Sequence, residues 1–211
     1  MTPAVGACLI TGASSGIGEA TARRLAREPG SQLVLVGRRE ERLQALAAEL
    51  GEERVGYVAV DLVAEDAPAR IAEFVRERHG RLDLLVNNAG ASWRARFADG
   101  GWENVRRTME INFDAQVRVT EALLPLLRAS APSAVVNVSS TAGRLARAGS
   151  GAYSASKFAL AGWSEALALE EAPHGVHVGL VLPGFIATEG FPQRELVDRA
   201  LTRRLVSTPE R

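Results

Sequence analysis

The stretch AYSASKFALAG, residues 152–162, holds the only lysine of this chain, Lys157, four positions after Tyr153. Lysine and arginine together number 25, so every other member of that pair is Arg. A phenol and an ammonium at i and i+4 of a helix share one face. A free phenol has a pKa near ~10 and moves protons poorly at neutral pH. A nearby ammonium favours the phenolate, and lowering the phenol by ~3 units takes about 4 kcal/mol of differential stabilisation. The pair therefore predicts a proton-transfer site built on Tyr153. Arg at 157 would be a planar fork that stays protonated. Lys is a compact ammonium that can sit beside a phenolate and exchange a proton.

A second chemical signature lies near the N-terminus, TGASSGIG, Thr11 to Gly18. It follows an apolar run and opens a helix-period segment. A Gly-rich turn in that context lets backbone approach a pyrophosphate, while the helix N-terminus presents free N–H groups and a positive dipole end. Gly12 is expected to make the tight turn, Gly16 the close approach and Gly18 the close helix–strand packing. Ser14 and Ser15 add hydroxyl donors, and Ile17 sits in the first helical turn.

The elements that must position these groups follow from hydrophobic patterning. Apolar runs AVGACLI (4–10), QLVLVG (32–37), RVGYVAV (54–60), LDLLVNN (82–88), SAVVNVSS (133–140) and VHVGLVLP (176–183) alternate with amphipathic segments. The runs are apolar on both faces, as strands of a parallel sheet covered on both sides should be. This βαβ alternation predicts an α/β, Rossmann-like doubly wound sheet in three layers, within a single domain and with right-handed crossovers. A long helix is expected from Trp102 to Ala129, bent or loosened at Pro125, and another over 151–172. Ser140 then falls at the end of the fifth strand, where ligand-facing residues of such a sheet collect. Its hydroxyl can bond a substrate oxygen as charge develops there.

The spacing G-x-x-x-G-x-G, with NNAG at 87–90, Asn112, the NVSS run ending at Ser140, YSASK at 153–157 and PGFIAT at 183–188, resembles the short-chain dehydrogenase/reductase family over nearly the whole chain. The resemblance implies a nicotinamide cofactor and hydride transfer between it and a carbonyl or secondary alcohol. It implies a catalytic tetrad of Asn112, Ser140, Tyr153 and Lys157. Tyr153 would move the proton and Ser140 would polarise the carbonyl. Lys157 would orient the ribose and tune the phenol, and Asn112 would lead a water-mediated proton path to Lys157. It also places Asp61 and Leu62 at the adenine edge, Asn88, Ala89 and Gly90 beside the cofactor, and Pro183, Gly184, Ile186 and Thr188 around the nicotinamide carboxamide.

The second strand ends QLVLVGRRE, with Gly37 at its tip. An acidic residue there would bond the adenosine ribose of NAD; Arg38 and Arg39 stand there instead. A guanidinium grips the extra phosphate of NADP with charge-assisted bonds. NADP(H) is expected over NAD(H), with Arg38 the main contact.

Composition narrows the partners. The formal net charge is zero, and arginines are scattered among Asp and Glu as on solvated helix faces. This points away from nucleic acid or a membrane surface as the main partner. One cysteine, Cys8, excludes a disulfide within the chain. The three histidines, His79, His174 and His177, form no metal-ligand pattern. With neither a signal-like N-terminus nor a membrane-length apolar run, the expected location is cytoplasmic.

Substrate choice is expected to lie in loops 91–101, 141–151 and the segment after Pro183. Trp93, Phe97, Leu145, Phe185 and Phe191 are candidates for an apolar pocket, and Arg94, Arg96 and Arg144 for an anion contact. Members of the family usually continue, after a stretch like LTRRLVSTPER, into a further helix and a seventh strand. A sheet lacking that strand is expected to leave the sixth as an edge. Helices 102–129 and 151–172 are expected to carry a homodimer or homotetramer. A catalytically idle dinucleotide-binding scaffold is the alternative function.

Overall fold

A computed structural model describes residues 6–190 and 206–210. Six strands form the main sheet: β1 (Ala7–Thr11), β2 (Gln32–Gly37), β3 (Val55–Ala59), β4 (Leu84–Asn87), β5 (Ser133–Val138) and β6 (Val176–Val181). They are all parallel, in the order β3-β2-β1-β4-β5-β6. The connecting helices are α1 (Gly16–Leu25), α2 (Glu40–Leu50), α3 (Ala67–His79), α4 (Phe97–Met109), α5 (Ala115–Ala129) and α6 (Gly151–Glu171). Two short strands, β7 (Phe185–Ile186) and β8 (Val206–Ser207), pair in parallel as a separate small sheet.

Alternation along the strands divides the core into two layers. Leu9, Val34 and Val36 pack with Ile71 and Val75 of α3, Val119 and Leu123 of α5, and Leu167 of α6. Their neighbours Cys8, Ile10, Leu33 and Leu35 turn the other way, onto Ala22 of α1 and Leu43 and Leu46 of α2. Successive side chains of a strand point to opposite faces, so strands apolar on both faces need helices on both. The sequence runs meet this requirement, and the doubly wound fold follows from it.

The helix expected from Trp102 to Ala129 starts just after a kink and is divided by an irregular turn. At Gly101 the backbone takes φ 51° and ψ −155°, which interrupts α4. A π-helical turn, Glu110–Asp114, then separates α4 from α5. Pro125, the expected weak point, lies within α5, which continues to Ala129. The irregular turn thus falls at Asn112, upstream of the proline. Single-turn π segments commonly re-aim a side chain at a functional site.

The chain changes winding direction at β1, which lies between β2 and β4. The connections that leave the carboxyl ends of β1 and β4 run to opposite faces of the sheet, and a crevice opens between them. Among the described residues β6 pairs with β5 alone. No helix among them is long and apolar enough to cross a membrane.

Candidate active site

One cavity of about 800 Å³ runs along the carboxyl ends of the strands. Gly12, Ser14, Ser15, Gly16 and Ile17 form its floor at one end, next to Arg38, Arg39, Asp61 and Leu62. Asn88, Ala89 and Gly90 line the middle with Ser140, Tyr153 and Lys157, and Pro183, Gly184, Ile186 and Thr188 close one side. Two expected site residues lie behind this surface, Gly18 and Asn112.

The glycine loop is shaped as a backbone cradle. Gly12 and Gly16 have φ of 68° and 59°, in the left-handed region that glycine adopts without strain. A Cβ on Gly18 would lie 2.4 Å from the Gly12 carbonyl oxygen and 2.5 Å from Asn88 Nδ2. Asn88 Nδ2 in turn donates to the Thr11 carbonyl at 2.9 Å. The Thr11 hydroxyl accepts from the backbone N–H groups of Asn88 and Ala89, each at 3.0 Å. These contacts fasten the end of β1 to the segment after β4. Thr11 lies within the quoted loop, but its register against β4 is a matter of sheet pairing.

The catalytic candidates converge from three elements. The Ser140 hydroxyl accepts from Ala142 N at 3.1 Å, capping a 3₁₀ turn, Thr141–Gly143. It lies near the Tyr153 hydroxyl, close enough to favour the ionised phenol. Lys157 is buried, and its Nζ donates to the Val138 carbonyl at 2.8 Å. Nζ lies 5.9 Å from the Tyr153 ring centroid. Burial presses the Lys157 pKa down to about 8. It also pushes the Tyr153 phenol up, and the nearby Ser140 hydroxyl acts against that rise. This corrects the simple expectation of a lowered phenol. In the protein alone, burial of the phenol is the larger influence.

Asn112 is fully buried in the π turn. Its Oδ1 accepts from Ala91 N at 2.8 Å, and its Nδ2 donates to Ala91 O at 2.9 Å and Ser156 Oγ at 3.0 Å. Ser156 Oγ donates to the Tyr153 carbonyl at 2.8 Å. A Cβ on Gly90 would lie 2.9 Å from Asn112 Oδ1 and 3.6 Å from Lys157 Nζ. Asn112 and Lys157 therefore face the same space, which Gly90 keeps clear.

The sequence did not reveal the supporting shell. Asn87 Nδ2 donates to Asn137 Oδ1 at 2.9 Å and Thr120 Oγ1 at 2.8 Å, and Asn137 Nδ2 donates to Ser164 Oγ at 2.8 Å. Buried polar groups need partners, and this network ties β4, β5, α5 and α6 together beneath the site. Ser139 Oγ donates to the Lys157 carbonyl at 2.9 Å, and a Cβ on Gly143 would meet that carbonyl at 2.7 Å. The 3₁₀ turn thus presses on α6 beside Lys157.

The sequence matches the family profile described as short chain dehydrogenase over residues 7–196. The chain belongs to the short-chain dehydrogenase family. This short-chain dehydrogenase is similar to "Dehydrogenase/reductase SDR family member 7B" of Danio rerio, 34% identical over 188 residues covering 85% of this chain and 60% of that protein. It is also similar to "Uncharacterized oxidoreductase YxjF" of Bacillus subtilis, 30% identical over 199 residues, covering 93% of this chain and 77% of that one. A solved short-chain dehydrogenase from Streptomyces avermitilis superposes with a TM-score of 0.84 at 35% identity, over 98% of this chain and 80% of that one. The Danio rerio protein is the longer: the short-chain dehydrogenase described here spans about three fifths of its length. Members of this family bind a nicotinamide dinucleotide, and the cleft passes a structural test for one. Its glycines leave a cradle that a side chain would fill, at Gly16 against Thr188 Cγ2 (3.0 Å) as well as at Gly18.

At the adenosine end, Arg38 and Arg39 differ. The Arg38 side chain is 74% exposed and stands 3.8 Å from Asp61. Arg39 is anchored, with Nη2 donating to the Ser14 carbonyl at 3.1 Å and Nε to Ser14 Oγ at 3.3 Å. Its Nη1 meets Glu189 Oε1 at 2.9 Å, and Arg42 Nη1 meets Glu189 Oε2 at 2.6 Å. At the substrate end Trp93, Arg94 and Phe185 line the cavity, joined by Arg107 and Arg147, which the sequence did not single out. Phe97 and Leu145 are exposed outside it, Arg96 is likewise outside, and Arg144 pairs with Glu165 at 2.6 Å. Phe191 lies outside the described residues.

Proposed function

We propose that this short-chain dehydrogenase is an NADP-dependent oxidoreductase acting on a carbonyl or secondary alcohol. The observation that carries this reading is the meeting of Ser140, Tyr153 and buried Lys157 in one cleft that begins at a glycine cradle. When bound, the nicotinamide dinucleotide supplies the hydride. Gly12, Ser14, Ser15, Gly16 and Ile17 would hold its pyrophosphate, with Gly18 packing the loop from behind, Asp61 and Leu62 would hold its adenine, and Asn88, Ala89 and Gly90 its middle. Pro183, Gly184, Ile186 and Thr188 would hold the nicotinamide end.

Tyr153 gives its phenolic proton to the substrate oxygen, or takes one in the reverse direction. Ser140 donates a hydrogen bond to the same oxygen as charge builds there. Lys157 places a cation beneath the ring, and Asn112 helps supply the proton across the space at Gly90. Two guanidiniums, Arg38 and Arg39, stand directly after Gly37, which supports NADP over NAD. Arg39 is the better anchored of the two, so it shares with Arg38 the role of phosphate contact. A homodimer or homotetramer through α4–α5 and α6 belongs to the reading, because these helices expose Trp102 (69%) and Leu169 (80%). One buried cysteine fits a reducing, cytoplasmic setting.

The test is NADPH consumption against a panel of ketones, aldehydes and quinones. Turnover abolished by Tyr153→Phe is the expected result. Tight NADPH binding with no turnover of any carbonyl would overturn this reading in favour of a cofactor-binding scaffold.

A further inference from the structure

The substrate end of the cleft is cationic in a chain whose basic and acidic residues balance at 25 each. Arg107 and Arg147 line it with Arg94, and the one carboxylate beside them among the described residues, Glu110, itself lies 3.3 Å from Arg106. Elsewhere arginines pair with neighbouring carboxylates, as Arg23 does with Glu49 and Arg106 with Glu103. Arg107 and Arg147 do something else. The Arg107 guanidinium lies over the Trp93 ring, 4.6 Å from its centroid. Its Nε and Nη2 donate to Asn104 Oδ1 at 3.2 and 3.0 Å, and Asn104 Nδ2 donates to the Trp93 carbonyl at 3.1 Å. The Arg147 guanidinium lies over Phe185, 4.8 Å from the centroid. Neither is ion-paired among the described residues.

A guanidinium laid on an aromatic ring has one face covered and keeps its in-plane N–H groups for other partners; at Arg107 the Nε and Nη2 side is held by Asn104, which leaves the outer Nη1 and Nη2 hydrogens facing outward. That outer edge is the part that bonds a carboxylate or phosphate, in two parallel hydrogen bonds where geometry allows. Stacking also limits the rotamers of a long side chain, so less freedom is lost when an anion binds. Two such forks line one cavity with Ser140 and Tyr153.

We propose that the substrate is a small aldehyde or ketone that also carries an anionic group, a carboxylate or phosphate, held by Arg107 and Arg147 while its carbonyl meets Ser140 and Tyr153. The proposal rests on the oxidoreductase reading above. The carbonyl takes two electrons as hydride from the dinucleotide and a proton from Tyr153, giving the alcohol and the oxidised dinucleotide. The anionic group passes through unchanged.

The test compares matched pairs with NADPH as reductant: levulinate against its methyl ester, and dihydroxyacetone phosphate against dihydroxyacetone. At least one anion is expected to exceed its neutral partner in kcat/KM by about tenfold or more at low salt, with the gap narrowing as salt is added. The pair that shows the gap identifies carboxylate or phosphate. Arg107→Met and Arg147→Met are expected to lower kcat/KM for the anion, through KM, by about tenfold more than for the neutral partner. A second readout is calorimetric binding of pentanoate and of inorganic phosphate to the protein with NADP, in wild type and both variants. Turnover without preference for either anion overturns the proposal and leaves the oxidoreductase reading standing. Saturable anion binding that both variants lose, with no carbonyl turned over, supports the anion site and overturns that reading instead. Neither turnover nor anion binding overturns both.

Discussion

Lys157 donates its ammonium to the Val138 carbonyl at 2.8 Å, joining the buried face of α6 to the last residue of β5. No carboxylate pairs with it among the described residues, so the charge is carried at the expense of its hydration. Its pKa falls from 10.5 to about 8. The unfolded chain then binds more protons between those values, and stability rises with pH across that window. Below about pH 8 the folded protein bears the full cost, about 3 kcal/mol at most. Lys157→Met is expected to stabilise the cofactor-free protein at pH 7, with the advantage shrinking as pH rises through 8 towards 10.5. Thermal unfolding of both proteins at pH 7 and pH 10 checks this. A gap that stays constant with pH shows that the ammonium is not its source.

Lys157→Arg conserves charge but not shape. The space above Nζ is bounded by Gly90 and Asn112, and a guanidinium fills it without being able to relay a proton. Turnover is expected to fall about 10²-fold or more, as it does for Tyr153→Phe, with dinucleotide binding retained in the Tyr153 variant. Steady-state kinetics and dinucleotide titration separate these effects. Near-normal kcat in Lys157→Arg refutes the role assigned to the lysine.

Cofactor choice is tested at Arg38, Arg39 and Glu189. Arg38→Ala and Arg39→Ala are each expected to weaken NADPH binding about tenfold and NADH binding much less. Glu189 holds the Arg39 and Arg42 guanidiniums with its carboxylate, so Glu189→Gln is expected to tighten NADPH binding. Fluorescence titration with both dinucleotides measures this. Equal affinities, unchanged by Arg38→Ala, remove the argument for NADP.

Gly18→Ala adds one methyl group where the Gly12 carbonyl lies 2.4 Å from its position. That contact is with backbone, which cannot swing aside, so the loop or the start of α1 must move. A loss of about 1–3 kcal/mol in denaturant unfolding is expected, together with weaker dinucleotide binding. Unchanged stability means that the loop relaxes freely.

The fold was legible because a parallel sheet leaves a local mark. Runs such as QLVLVG and SAVVNV carry apolar residues on both faces, since each strand is covered on both, and they appear as β2 and β5. The helix pattern was legible too, but not its breaks. The π turn at Glu110–Asp114 interrupts the segment read as continuous, and Pro125 lies within a helix that runs on to Ala129. Tertiary contacts explain this: the π turn carries Asn112 to Ala91 and Ser156, far from it in sequence.

The site divides in the same way. Tyr153 and Lys157 sit four apart on one helix, and Gly12, Gly16 and Gly18 belong to one turn, so short-range geometry already relates them in the sequence. The fall of the Lys157 pKa, the rise of the Tyr153 phenol and the aromatic seating of Arg107 and Arg147 could not be read there. Each depends on groups brought together from distant parts of the chain. Desolvation and stacking are properties of the surroundings of a side chain, and those surroundings exist only once the sheet has assembled and the helices have packed on it.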